Sequence, residues 1–142
     1  MGKRILVPVD GSEEAKGACE FVASEFPDAT MILLHVVNPA EAGYSAQASI
    51  PSFSEEWFDR EQDHANEVFD EIEASAGDRI AGIERVIEVG KPSRTIVEYA
   101  DENDIDQIVM GSHGRSGVSR ILLGSVAETV VRRSNVPVTV TR

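Results

Sequence analysis

Short apolar runs alternate with amphipathic segments along the whole of this chain. A continuous apolar run of roughly four to eight residues is typical of a strand buried on both faces of a sheet, whereas helical spacing of apolar positions is typical of a helix that covers one face. The pattern predicts strands at residues 4–9, 30–37, 83–89, 106–110 and 136–141. It predicts helices at residues 13–26, 54–76, 93–102 and 126–133.

The order of these elements indicates the fold class. Strands that are apolar throughout and alternate with helices predict a parallel sheet covered on both faces, with right-handed crossovers. The 142 residues match one domain of common size. We therefore expect a single α/β domain over residues 1–142, with a doubly wound, Rossmann-like sheet of five parallel strands. Ligands of such sheets bind beyond the carboxyl ends of the strands, where the winding direction reverses.

Residues 38–52 follow neither pattern and are rich in Ala, Ser, Gly, Pro and Gln. A long loop is predicted here, and loops of this length are uncommon in a compact domain and often either mobile or functional. In the first helix, Ser12 is the predicted N-cap, Ala15 and Cys19 lie on the buried face, and Glu14 faces solvent.

The charge of the chain is strongly negative but unevenly distributed. The net charge is −12, with 25 acidic against 13 basic residues, which argues against nucleic-acid binding. Two interpretations of this acidity stay open: adaptation to high salt, or an ordinary acidic solubility surface. Residues 111–142 are the exception, with five arginines against one glutamate, a net charge of +4. An anionic ligand is therefore expected in the last quarter of the chain.

Cysteine content and hydropathy indicate a cytoplasmic address. Cys19 is the only cysteine, which excludes an intrachain disulfide and a cysteine metal cluster, and it is expected to be a buried apolar filler. No apolar run approaches the roughly 18 residues of a membrane helix. The apolar stretch near the N-terminus is too short for a signal peptide and fits a first strand. No membrane partner is expected.

The strongest chemical signal is the glycine-rich segment between the fourth strand and the fourth helix, from Gly111 to Ser125. Glycines let a backbone approach phosphate closely, and a helix N-terminus supplies free amides and a partial positive charge. Arg115 and Arg120 would add charge-assisted hydrogen bonds. A competing interpretation also fits: Ser125 and Glu128 form a capping-box pattern, which would satisfy those amides without a ligand.

The spacing of these glycines resembles the nucleotide loop of the universal stress protein family. Gly111, two residues, Gly114, nine residues and then Gly124-Ser125 match the signature of that family. The resemblance covers the whole chain, from a first strand that ends in Asp10, through the long loop after the second strand, to the final strand.

This resemblance implies a sheet in the order 3-2-1-4-5, and it implies ATP binding together with Mg²⁺ or Mn²⁺. On the matching positions, the adenine and ribose side would be lined by Pro8, Val9, Asp10 and Val36. The ribose and phosphates would be held by Gly111, Ser112, Gly114, Arg115, Gly124, Ser125 and Val126. Similar proteins form homodimers through the last strand, and residues 136–141 fit an edge strand because they include a proline.

Three functions are compatible with this sequence. The first is a homodimeric, ATP-binding sensor or regulator in a stress response. The second is a slow ATPase or an autophosphorylating enzyme. His113 and Asp10 are its only candidate bases, and each also has a non-catalytic interpretation, His113 as part of the loop and Asp10 as a contact to the sugar. The third is a dimeric scaffold without a ligand. The sensor is favoured because no second carboxylate is placed for a metal pair.

Overall fold

The computed structural model describes residues 2–43, 55–113 and 123–142. The strands are β1 (Arg4–Pro8), β2 (Thr30–Val37), β3 (Gly82–Val89), β4 (Gln107–Gly111) and β5 (Val138–Thr141). The helices are α1 (Glu13–Glu25), α2 (Pro39–Gly43), α3 (Glu55–Ala76), α4 (Pro92–Glu102) and α5 (Ser125–Arg133), and a short 3₁₀ turn follows α3 at Gly77–Arg79.

The five strands form one parallel sheet in the order β3-β2-β1-β4-β5. This confirms the parallel sheet predicted from the pattern and the strand order implied by the family resemblance. β1 lies in the middle, where Ile5 pairs with Met31 of β2 on one side and with Gln107 of β4 on the other. The chain winds outward through β2 and β3, returns to the centre and continues through β4 and β5. The winding therefore reverses between β1 and β4, which is where such sheets bind ligands.

Each face of the sheet has its own apolar core, because successive strand residues point to opposite sides. Ile5 and Val7 of β1 face α1 and α3, and the large buried ring of Phe69 completes that core. Leu6 faces the other way, into a core formed with α4 and α5 that includes Ile96. Burial on both faces explains why the strands read as continuous apolar runs.

Most predicted elements were wrong by one residue at one end or both, and the differences at 38–52, β5 and α5 bear on the site or on the edge of the sheet. The segment predicted to be a loop at 38–52 begins with α2, whose first turn is started by Asn38: its side-chain oxygen accepts from the Ala40 amide at 3.1 Å. The remainder of that segment lies outside the described residues. β5 begins at Val138 instead of residue 136, and the carbonyl of Pro137 accepts from the Ile108 amide at 2.9 Å just before it. α5 begins at Ser125, one residue before the predicted start at residue 126.

Two expectations about composition can be compared with the structure. Cys19 is buried, with 2% of its surface exposed, as predicted. Burial raises the pKa of its thiol to about 12, so the reactive thiolate is suppressed at neutral pH. Within the described ranges, no helix has both the length and the apolar character needed to cross a membrane.

Candidate functional site

The first wall of the candidate site is the turn after β1. The side chain of Asp10 accepts a hydrogen bond from the Ser12 amide at 2.9 Å, and Gly11 between them has a φ of 86°. This left-handed conformation favours glycine. Ser12 then caps α1, as predicted, by accepting from the Ala15 amide at 3.1 Å. The turn holds the Asp10 carboxylate at the carboxyl end of the central strand.

The second wall is the start and end of the glycine-rich loop. The Ser112 amide donates to Thr141 of β5 at 2.8 Å, and the Gly124 amide donates to the Ser112 carbonyl at 2.7 Å. The chain therefore leaves and returns at one point, and we call Ser112, His113 and Gly124 the loop stem. A Cβ on Gly124 would lie 3.2 Å from the Ser112 oxygen, so glycine suits this closure. Residues 114–122 are outside the described part, and the predicted Gly114 and Arg115 with them.

Gly111 is needed for a reason that the sequence did not reveal. A Cβ at this position would lie 2.8 Å from Cβ of Glu14 and 3.0 Å from its backbone oxygen, so α1 packs directly on this residue. The interpretation of Glu14 as solvent-facing was therefore wrong. Its carboxylate accepts hydrogen bonds from the Ser112 hydroxyl at 2.6 Å and from the His113 amide at 3.0 Å. The Ser112 hydrogen bond is the main reason that the pKa of Glu14 is lowered from its ordinary value.

The N-terminus of α5 lacks the capping box that its sequence pattern suggested. Gly124 is the N-cap, and among the described residues no side chain caps the helix. Glu128 instead binds Arg132 one turn later, at 2.7 Å. The physical reason is the loop closure at Gly124, which starts the helix one residue before the capping pattern requires. Within the described residues, the first turn of α5 therefore keeps its amides and its partial positive charge available.

A cavity of about 390 Å³ lies between these walls, at the reversal point of the sheet. Ligand pockets of small molecules start at about this size. Nine of the eleven predicted site residues line it, and the other two lie outside the described residues. The nine are Pro8, Val9, Asp10, Val36, Gly111, Ser112, Gly124, Ser125 and Val126.

The cavity also includes residues that the sequence analysis did not assign to a site. Leu34, Ile96 and Met110 add apolar walls. His35 lies at its floor, where Nδ1 is 3.0 Å from the Val9 carbonyl. No local pattern marks these residues, because they become neighbours only when β2, α4 and β4 pack around β1.

A groove of about 770 Å³ adjoins the cavity and shares Ser125 and Val126 with it. Lys91, Arg94 and Arg133 line this groove, together with the carboxylates of Glu41 and Glu98. In an acidic protein, cations of this kind favour an anionic group near the start of α5. Within the described ranges, no three His, Cys, Asp or Glu side chains are grouped to hold a metal ion.

Comparison with known proteins decides the family. The model of the universal stress protein family matches residues 1–142. The chain belongs to this family. Among the family's curated members, universal stress protein MJ0577 of Methanocaldococcus jannaschii is 33% identical over 157 residues, covering 100% of this chain and 96% of that protein. This confirms the resemblance that the glycine spacing indicated.

Solved structures of the universal stress protein family share the fold. That of MJ0577 superposes with a TM-score of 0.84 at 34% identity, covering 99% of this chain and 96% of its own. The Lactobacillus plantarum protein UspA gives 0.80 at 28% identity, covering 99% and 97%. A universal stress protein in complex with cAMP gives 0.66 at 26% identity, covering 99% and 97%.

Proposed function

We propose that this universal stress protein is an ATP-binding sensor or regulator that acts as a homodimer in a stress response. The observation that carries the proposal is the cavity at the reversal point of the sheet. It has a carboxylate at one wall, Asp10, and at the other the N-terminus of α5, whose N-cap is Gly124. The ribose hydroxyls of a nucleotide can donate to the Asp10 carboxylate. Its negatively charged phosphates suit the partial positive charge at the N-terminus of α5.

The adenine and ribose are proposed to lie on the β1 side. Pro8, Val9 and Val36 provide apolar surface for a base, and Asp10 faces the sugar. The relative solved with cAMP carries an adenine nucleotide, which supports this class of ligand.

The phosphates are proposed to lie across the loop stem and the first turn of α5. Gly124, Ser125 and Val126 line that end of the cavity, and Arg115 and Gly114 belong to the loop that begins there. When bound, Mg²⁺ or Mn²⁺ would offset the negative charge of the phosphates. The ion would need at most one or two carboxylates besides the phosphates, so the absence of a carboxylate cluster from the described residues is compatible with it.

A sensor is favoured over an enzyme because both candidate bases already interact with other groups of the protein. Asp10 accepts from the Ser12 amide, and His113 lies against Ser112 and Glu14 in the loop stem. General-base catalysis needs a group within hydrogen-bond reach of the attacking water or hydroxyl. Slow hydrolysis or autophosphorylation therefore remains the second candidate, and a scaffold without a ligand the third.

The first test is to denature freshly purified protein and identify any nucleotide that is released. About one adenine nucleotide per chain supports the proposal. ATP with Mg²⁺ should then raise the melting temperature of nucleotide-free protein, because a ligand at about 100 times its dissociation constant stabilises by about 2.7 kcal/mol. An empty protein without such a gain contradicts nucleotide binding and supports the scaffold.

The site itself is tested with Ser125→Glu. A carboxylate in the first turn of α5 favours the helix dipole but repels phosphate, so stability should be retained while ATP affinity falls about tenfold or more. Ser125→Gln is the matched control, because it has the same length without the charge. Equal ATP affinity of the two variants would contradict a phosphate site at this helix.

A further inference from the structure

We propose that Glu14 is a positioning residue of the nucleotide site, which holds the loop stem in place and selects one tautomer of His113. The inference rests on the proposed function for its ligand, but its geometry stands on the protein alone. Glu14 is in the first turn of α1, and neither the charge pattern nor the glycine signature marks it.

The first step of the argument is that one carboxylate oxygen joins two parts of the stem. Oε1 of Glu14 accepts from the Ser112 hydroxyl at 2.6 Å and from the His113 backbone amide at 3.0 Å. Both donors stand at the exit of β4, where the glycine-rich loop begins. Hydrogen bonds to a charged acceptor are roughly twice as strong as neutral ones, so Glu14 anchors the loop to α1.

The second step concerns the proton on His113. A serine hydroxyl has one hydrogen, and that of Ser112 is donated to Glu14. Nδ1 of His113 lies 3.1 Å from the same hydroxyl oxygen, so this nitrogen must be the donor in that contact. Oε2 of Glu14 lies 3.6 Å from Nδ1, which favours a proton there as well. The neutral ring therefore has its proton on Nδ1 and none on Nε2.

The third step connects the ring to the ligand end of the cavity. A Cβ on Gly124 would lie 3.6 Å from Cδ2 of His113 and 3.5 Å from its Cα, so the ring side of His113 borders the N-cap of α5. Nε2 is buried, and within the described part of the chain it has no hydrogen-bond partner. The ring that Glu14 orients thus packs beside Gly124, whose amide is bonded to the Ser112 carbonyl at 2.7 Å at the start of α5.

The neighbouring Glu13 provides a matched control. It has the same side chain in the same turn of α1 and the same relation to the helix dipole. Its side chain is 92% exposed, against 33% for Glu14, and its ion pair with Lys16 is long, at 3.9 Å. Comparing Glu14→Ala with Glu13→Ala therefore separates the stem contacts from the loss of a charge near a helix N-terminus.

Two measurements need no ligand. Nitrogen-15 NMR of the histidine rings reports which nitrogen carries the proton in the neutral form of His113. We expect this proton on Nδ1 in the native protein and in Glu13→Ala. Glu14→Gln can keep both hydrogen bonds to Oε1 but presents an NH₂ group to Nδ1, so this preference should weaken or reverse. Exchange of the His113 amide should be about tenfold faster in Glu14→Ala than in Glu13→Ala. A native ring protonated on Nε2 would overturn the proposal.

The third measurement is ATP affinity. We expect about a tenfold loss in Glu14→Ala and less than about a twofold change in Glu13→Ala. Equal losses in the two variants, with both folded, would overturn the positioning role. If native protein fails to bind ATP, the proposed function fails, while the NMR and exchange measurements still decide whether Glu14 controls the stem.

Discussion

At the scale of single residues, two adjacent glutamates differ because only one faces another element. Glu13 and Glu14 both open α1, and both favour the helix dipole. Glu14 also receives two hydrogen bonds from the exit of β4, since β4 pairs directly with β1. The Ser112 hydrogen bond, more than any other contact, lowers the pKa of the Glu14 carboxyl.

The lowered pKa of Glu14 predicts an acid-sensitive contribution to stability. A carboxyl with a folded-state pKa below its ordinary value of 4.5 stabilises the fold above that pH, and the stabilisation is lost as the pH falls through the folded value. Glu14→Ala should cost about 1 kcal/mol at neutral pH, after allowance for solvent screening. The difference from native protein should shrink below about pH 4.5 in chemical denaturation. A difference that grows in acid would contradict this assignment.

At the scale of elements, α3 and β3 are joined by one arginine. Asp70 and Glu73 of α3 bind Arg85 of β3 at 2.7 and 2.5 Å. The guanidinium also lies 5.6 Å from the centre of the Phe69 ring. The hydrogen bond to Glu73, followed by that to Asp70, raises the pKa of Arg85. This edge of the sheet is thus held by charge as well as by apolar contacts.

We expect Arg85→Met to lower the free energy of unfolding by about 1 kcal/mol. The arginine is partly exposed, and exposed pairs each contribute little, but here two carboxylates and an aromatic ring share one partner. Arg132→Met is the control, since it removes one exposed pair within α5 and should cost under about 0.5 kcal/mol. Urea denaturation checks both values. Similar costs for the two variants would contradict a joint role for Arg85.

At the scale of the whole molecule, the sheet ends at β5, which pairs with β4 on one side. The four residues of β5 are all partly exposed, and Pro137 stands just before them. Natural proteins usually cover or pair such an edge. A homodimer formed by antiparallel pairing of residues 136–141 stays our prediction for this edge.

Native protein should accordingly have a mass about twice 15.4 kDa in sedimentation or light scattering. Val140→Asp should shift it toward the monomer, because symmetry places like charges near each other across the paired edges. Val131→Asp on α5, where the native side chain is 46% exposed, is the control and should stay dimeric. A native monomer, or equal dissociation of both variants, would contradict pairing through β5.

Much of the fold and part of the site were predictable from local chemistry. Burial on both faces of the sheet explains the apolar runs of β1 and β2, and burial of one face explains the helical spacing of apolar residues on α3. The glycine signature marked both ends of the loop stem. The short helix α2 was missed because five residues contain too few turns for a period to be visible. The capping box at Ser125 was misread because a cap depends on where the preceding loop closes.

The sequence alone determined the alternation of strands and helices, the family and the acidic surface with its positive C-terminal quarter, because periodicity, spacing and charge are properties of neighbours along the chain. Only the tertiary structure decided why Gly111 has no side chain and why Glu14 is not an ordinary surface carboxylate. Both depend on α1 lying against the exit of β4, a contact between residues nearly 100 positions apart. Such contacts arise from the order of the strands in the sheet, and no local sequence pattern predicts them.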